Sequence, residues 1–353
     1  MNDLIRIGMD TSKSVFVLHG VDAAERPILR VKLRRKQVKA YFAKLPPVKV
    51  GMEACGASHY WARVLTALGH EVVLIAPQHV KPYVRRNKND AADAEAICEA
   101  MSRPRTRFVP VKTVEQQAAL MLVGTRDALV RRRTQLTNSI RGYAAEFGVT
   151  AARGLDKIES LLGRVAADDS IPALARKLFT ELGEEYAELE QRLDEIAKEL
   201  LAWHRADAQS LRLAEIPSIG PIGASLLSMK VPDPKAFRCG RDFAAWIGLT
   251  PKDHSTANRQ RLGGITRAGD EALRSVLVTG ATAVIQQVRK GRSHPTPWLA
   301  EILKRKKPKV AAVALANKTA RIAWKLMVSG DRYDRTHKCR QADAQDALLA
   351  AAA

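Results

Sequence analysis

Leu4-Ile5-Arg6-Ile7-Gly8-Met9-Asp10 and Val48-Lys49-Val50-Gly51-Met52-Glu53 are two apolar runs that each end in an acid. Runs of this length read as strands, and neighbouring strands bring together residues distant in sequence. Asp10 and Glu53 are therefore expected side by side. Asp90 and Asp93 open a helical stretch three residues apart, so both point the same way. Carboxylates at element ends in a strongly basic chain point to a magnesium site that cuts or joins nucleic-acid strands. Phosphodiester cleavage must stabilise charge on the entering and the leaving oxygen, and two magnesium ions ~4 Å apart, held by carboxylates, do so. Manganese is the alternative ion. Taken singly, the acids also fit surface positions or helix caps, with Asp90 as an N-cap and Asp93 a first-turn acid. Taken together, they read as metal ligands. Gly8 and Gly51 stand two positions before the strand acids, where backbones are expected to pack closely.

Working outward, further strands are expected at Val15–His19, Ile28–Leu33 and Glu71–Ala76. Helices are expected at Arg35–Lys44, Ser58–Leu68 and Asp90–Met101. Three strands as a meander, then strand and helix in alternation, predict a mixed sheet with helices on its faces, in a ribonuclease-H-like order. Arg85, Arg86 and Lys88 precede Asp90. They read as a phosphate grip at the mouth of the site, with a plain basic loop as the alternative.

Past Pro110 the strand signals stop. Thr113 and Gln116 resemble a capping box, and a long helix is expected to run to about Gly148. Its apolar positions are Leu129, Leu136, Ile140, Tyr143 and Phe147, with Arg126, Arg131, Arg132, Arg133 and Arg141 between them. Leu182, Tyr186, Leu189, Leu193, Ile196 and Leu200 form a heptad seam on a second helix, joined to the first by Gly154–Ser170. An antiparallel pair within one chain and a coiled coil between chains both fit that spacing. The third region, from near Arg212, is helical. Ile216-Pro217-Ser218-Ile219-Gly220-Pro221-Ile222-Gly223 reads as a helix-hairpin-helix turn, with Gly220 and Gly223 letting the backbone approach DNA phosphates. A tight turn between packed helices is the plain alternative. Lys304-Arg305-Lys306-Lys307-Pro308-Lys309 reads as a basic loop, and the tail after Asp331 as loosely ordered. The expected division is 1–110, 111–205, 206–330 and a tail, 331–353.

The sequence has 353 residues, with 58 Lys and Arg against 37 Asp and Glu, a formal charge of +21. That excess implies a polyanionic partner. Cys55, Cys98, Cys239 and Cys339 form no C-x-x-C pair, so neither a zinc site nor a disulfide framework is indicated, and reduced thiols in the cytoplasm fit best. No apolar run approaches a membrane span, and the first residues do not read as a signal peptide.

Between Gly248-Leu249-Thr250-Pro251 and Gly263-Gly264 lies a polar loop containing His254 and Ser255. Arg259, Arg261 and Arg267 are close by in sequence. A loop serine among arginines could attack phosphorus, and an adjacent histidine could be its base. A turn serine beside an exposed histidine explains the same residues.

These segments together resemble the transposases of the insertion-sequence-110 family, and its 1111 subgroup in particular. The markers are Gly8-Met9-Asp10-Thr11-Ser12-Lys13, Met52-Glu53-Ala54-Cys55-Gly56, Lys88-Asn89-Asp90-Ala91-Ala92-Asp93-Ala94, Ile216-Pro217-Ser218-Ile219-Gly220-Pro221, Gly248-Leu249-Thr250-Pro251 and Arg261-Leu262-Gly263-Gly264-Ile265-Thr266-Arg267-Ala268-Gly269. They cover the chain from Ile7 to about Gly330. The resemblance implies a RuvC-like N-terminal domain with a DEDD site at Asp10, Glu53, Asp90 and Asp93. The heptads place a helical coiled-coil middle between that domain and the next. The resemblance implies a C-terminal transposase domain, read as mainly helical, whose nucleophile matches Ser255. Family members usually have Ser-Gly at that place, whereas this chain has Ser255-Thr256. The implied reaction is excision and reinsertion of a mobile element through a phosphoserine link to DNA. The implied assembly is a dimer of dimers with acids and serine from different protomers, a structured RNA guiding the choice of DNA, and a nucleoid-associated bacterial protein. The competing readings are a junction resolvase or nuclease that uses water at the acidic site, and a noncatalytic nucleic-acid-binding scaffold.

Overall fold

The computed structural model describes residues 4–84, 89–104, 106–256, 259 and 261–334. The chain forms two compact units, Met1–Gln117 and Ala118–Ala353.

In the first unit the strands are β1 (Arg6–Thr11), β2 (Val15–Val21), β3 (Pro27–Arg34), β4 (Lys49–Glu53), β5 (Glu71–Ile75) and β6 (Phe108–Val109). The helices are α1 (Val38–Phe42), α2 (Ser58–Ala67), the single turn α3 (Pro77–Val80) and α4 (Asp90–Ser102). The six strands lie in the order β3-β2-β1-β4-β5-β6. β1 pairs antiparallel with β2 and parallel with β4, and β4 pairs parallel with β5. This is the expected meander followed by alternating strands and helices. The edge strand β6 was not legible, because two residues carry no periodicity.

Alternation along the strands sorts the side chains. Ile7, Met9, Val50 and Met52 enter a core with Phe42, Trp61 and Leu65 from α1 and α2. Gly8 and Gly51 point to the other face, where α4 lies. A Cβ on Gly8 would sit 2.2 Å from the Ala94 carbonyl oxygen and 2.5 Å from the Cys98 nitrogen. Only glycine lets the helix backbone lie directly on β1, as their positions before the strand acids suggest. Ile97 and Met101 pack below with Val73 and Ile75. Arg6, at the start of β1, donates from Nε to the Cys98 carbonyl at 3.1 Å and pairs with Glu25. That bond fixes the height of α4 over the strand.

The second unit takes up most of α5 (Val114–Glu146) and contains α6 (Ile158–Ala166), α7 (Ala173–Ala206), α8 (Ala208–Ala214), α9 (Pro221–Lys230), α10 (Gly240–Ile247), β7 (Pro251–Asp253), β8 (Leu262–Ile265), α11 (Glu271–Arg289), α12 (Pro297–Arg305) and α13 (Pro308–Ser329). The capping box at the start of α5 forms, with Thr113 Oγ1 accepting from the Gln116 N–H at 3.1 Å and Gln116 Oε1 accepting from the Thr113 N–H at 3.0 Å.

α5 and α7 run antiparallel within the chain. Early α5 residues Ala119 and Val123 share a core with Leu200. Late α5 residues Ile140 and Ala144 pack with Ile158, Phe179 and Tyr186. The seam departs from the expected one at its end, where Tyr143 and Phe147 are both exposed and α5 stops at Glu146. Ala144 is buried, while Tyr143 is 57% exposed, because the buried positions Thr137, Ile140 and Ala144 centre the inward face to one side of Tyr143. The link between the two long helices contains α6, whose apolar face joins the same core.

Two further expectations are corrected. Strands do not stop at Pro110: β7 and β8 form a short antiparallel ribbon. Their residues, Pro-Lys-Asp and Leu-Gly-Gly-Ile, are mostly exposed and lack alternation. The basic run 304–309 is largely the end of α12 and the start of α13, with Pro308 at N1. The tail from 335 on lies outside the described residues.

Candidate functional site

Met9 pairs with Met52 in the β1–β4 register. Carrying that register one residue further sets Asp10 opposite Glu53 near the carboxyl ends of adjacent parallel strands, whose spacing in a sheet is about 4.8 Å. Counting in twos from Gly8 and Gly51 puts both acids on the α4 face. Asp90 and Asp93 occupy the first turn of α4, just beyond Ala94, which rests on Gly8. Asn89 is the N-cap. Its side chain accepts from the Ala92 N–H at 2.9 Å, which leaves the expected cap, Asp90, at the first helical position.

The electrostatics agree with this convergence. The Asp10 carboxyl is pushed above its ordinary range, first by burial, then by Asp93, Asp90 and Glu53. Around it, Thr11 Oγ1 lies 3.3 Å from Cys55 Sγ, joining the ends of β1 and β4. Ser58 Oγ donates to the Cys55 carbonyl at 2.9 Å, shaping the exit from β4. The oxygen-only donor set suits a hard divalent cation such as magnesium or manganese. Among the described residues, no three His, Cys, Asp or Glu side chains close around one point.

The second candidate centre lies in the other unit. β7 and β8 hold the neck of the loop, with Asp253 opposite Leu262 and the His254 N–H bonded to the Arg261 carbonyl at 2.9 Å. Ser255 sits at this neck and is exposed. Its Oγ donates to Asp253 Oδ1 and accepts from the Arg261 N–H at 2.9 Å. Arg259, Arg261 and Arg267 are exposed in the same segment. Asp253 was not singled out from sequence, and the one available signal was an acid two residues before the serine.

The other expected contact residues divide. Arg131 and Arg132 are exposed on α5. Arg133 turns inward and pairs with Glu190 at 3.0 Å, so its guanidinium is committed to α7. Gly220 faces open space, whereas Gly223 packs against Val276 of α11. The hairpin is therefore partly a packed joint: Gly280 lets α11 lie directly against the Ser218 carbonyl. Arg85, Arg86 and Lys88 lie outside the described residues.

Comparison with known proteins matches residues 7–147 to the IS110-type DEDD transposase domain and residues 210–295 to the family described as transposase IS116/IS110/IS902. The chain is 64% identical over 346 residues to a putative transposase, y4pF/y4sB, of Sinorhizobium fredii, covering 98% of this chain and 88% of that one. It is 39% identical to the transposase for insertion sequence element IS1328 of Yersinia enterocolitica, covering 95% of this chain and 100% of that one. It is 38% identical to the transposase for insertion sequence element IS1111A of Coxiella burnetii, covering 94% and 92%.

Proposed function

Because the chain belongs to the IS116/IS110/IS902 family of transposases, we propose that it moves its element by divalent-metal-dependent DNA cleavage with Ser255 as the attacking group. The observation that carries the reading is the levelling of Asp10 and Glu53 on parallel strands beneath the two acids of α4. In this reading the first unit is a ribonuclease-H-like domain of the RuvC type. A bound magnesium ion would supply positive charge to the phosphate and to the departing oxygen. Asp10, Glu53, Asp90 and Asp93 would hold it, relieving the mutual repulsion that now acts on Asp10.

Ser255 Oγ bonds to phosphorus as an ester oxygen of the strand departs. The phosphodiester becomes a phosphoserine ester, so rejoining needs no external energy source. Arg259, Arg261 and Arg267 stand ready to hold the phosphate oxygens. Arg131 and Arg132 on α5, together with the open backbone at Gly220, would hold the duplex without reading bases. A structured RNA would supply sequence choice, and a dimer of dimers would supply the protomers; both extend from the family resemblance.

The test is cleavage of a plasmid carrying the gene with its native flanks, with magnesium or with chelator. Cleavage should require the metal, and Asp10→Asn should abolish it while leaving DNA binding intact. Ser255→Ala should abolish the protein–DNA adduct on a denaturing gel. Cleavage without any adduct would instead favour a nuclease that uses water. Full activity in chelator would remove the metal reading.

A further inference from the structure

We propose that the Asp253 carboxylate orients the Ser255 hydroxyl and takes up its proton as the oxygen attacks phosphorus. This rests on Ser255 being the nucleophile. A hydroxyl has one hydrogen and two lone pairs. Here the hydrogen is directed to Asp253 Oδ1, and one lone pair accepts from the Arg261 N–H at 2.9 Å. The second lone pair is left for attack. Asp253 Oδ1 also accepts the Ser255 N–H at 2.8 Å, so carboxylate and hydroxyl are held in one fixed relation.

The ribbon supplies the rigidity. Asp253 is the last residue of β7 and pairs with Leu262 of β8, and the His254–Arg261 backbone bond continues the ladder past it. Ser255 is thus fixed at the neck, and both it and Asp253 are exposed to an incoming strand. Of the neighbouring charges, His254 acts on the Asp253 carboxylate, the Arg261 backbone N–H meets Ser255 Oγ, and the Lys252 and His254 side chains flank Gly263 across the ribbon. Hydrogen bonds from Ser255, with a smaller effect of His254, hold the Asp253 carboxyl below its ordinary range. It is ionised at neutral pH and always able to accept. A carboxylate that acidic is a modest base, which puts its effect at the lower end for proton-transfer groups, about 100-fold.

The step balances without a further reactant. The Ser255 O–H bond breaks and its proton passes to Asp253. The Oγ–P bond forms, a strand P–O bond breaks, and the departing oxygen is protonated from solvent. Asp253 touches the reacting oxygen directly, so its role is that of general base as well as orienting group.

Single-turnover adduct formation on the flanked plasmid, followed against pH, tests this. Asp253→Asn keeps the shape and the acceptor for the Ser255 N–H but is a far weaker base. It should bind DNA as wild type does and form adduct about 100-fold more slowly at neutral pH. The wild-type to Asp253→Asn rate ratio should shrink as pH rises, because hydroxide replaces the lost acceptor. Titrations at the metal site are shared by both proteins and cancel in that ratio. Asp253→Glu should recover part of the rate. Wild-type rates in Asp253→Asn, or a deficit constant across pH, would overturn the proposal while Ser255→Ala remains inactive. Adduct formation by Ser255→Ala would overturn the serine reading itself, and this proposal with it.

Discussion

Gly8→Ala tests how the acids of α4 reach the sheet. The new Cβ would lie 2.2 Å from the Ala94 carbonyl oxygen, where ordinary contact begins at 3.4 Å, so α4 must retreat by about 1 Å. The clashing atoms are helix backbone, and Ile97 and Met101 on the same helix are buried, so the retreat disturbs their packing as well. Overpacking of this kind costs about 1–3 kcal/mol, and the backbone contact places Gly8→Ala at the upper end. For a domain of this size that lowers the melting midpoint by roughly 10–15 °C. A misplacement of about 1 Å in a reacting constellation costs on the order of 100-fold in rate, so cleavage should fall that far in protein that is still folded. Gly51→Ala is the internal control. Its Cβ would meet the Met101 sulfur at 2.8 Å, the flexible end of a thioether that can swing away, and Ile97 Cγ2 at 3.3 Å, so the loss should sit at the lower end of the same range, about 1 kcal/mol. Thermal denaturation and magnesium-dependent cleavage of both variants measure the difference. Equal stability of Gly8→Ala and Gly51→Ala, or wild-type cleavage by Gly8→Ala, would refute the direct seating of α4 on β1.

Three other outcomes follow from the same geometry. The Asp10 carboxyl binds its proton more readily folded than unfolded, so its ionisation opposes folding as pH rises through the raised folded value. Asp10→Asn should therefore melt a few degrees higher than wild type at neutral pH, lose that advantage below the usual carboxylate range, and gain nothing from added magnesium, which should stabilise wild type. Arg131→Ala and Arg132→Ala should each lower the slope of log affinity for DNA against log salt by about 0.9; Arg133→Ala should leave that slope unchanged and reduce stability by about 1 kcal/mol, through loss of the Glu190 pair and of packed stem. Arg267 has φ of +56°, and Arg267→Gly relieves roughly 1 kcal/mol of left-handed strain, which offsets the entropy of glycine; calorimetry should show unchanged stability while filter binding shows weaker DNA affinity.

The sheet was legible because β1, β2, β4 and β5 are apolar runs with clear ends, and because Asp10 and Glu53 close two of them. Gly8 and Gly51 were legible as close-packing sites from their shared offset before the acids. The β7–β8 ribbon was hidden, since three or four exposed residues with adjacent glycines bury nothing and leave no period. The coil was visible from its heptads, yet the choice of Ala144 over Tyr143 turned on a single helical step. The four acids were singled out by their places at element ends, the basic charge of the chain and the order of its elements. Ser255 was not, because a polar loop constrains its residues too little, and the family resemblance supplied that position. Asp253 went unnoticed for the same reason: its importance lies in hydrogen bonds across a hairpin that the sequence did not announce. Arg133 shows the opposite limit, since a basic run on a helix does not say which side chain turns inward to Glu190.

Manganese binding read by electron paramagnetic resonance tests the carboxylate cradle most directly. Wild type should bind the ion without DNA, and Asp10→Asn combined with Glu53→Gln should lose that signal while the protein remains folded. Undiminished manganese binding by the double variant would contradict the convergence of β1, β4 and α4 on one cation.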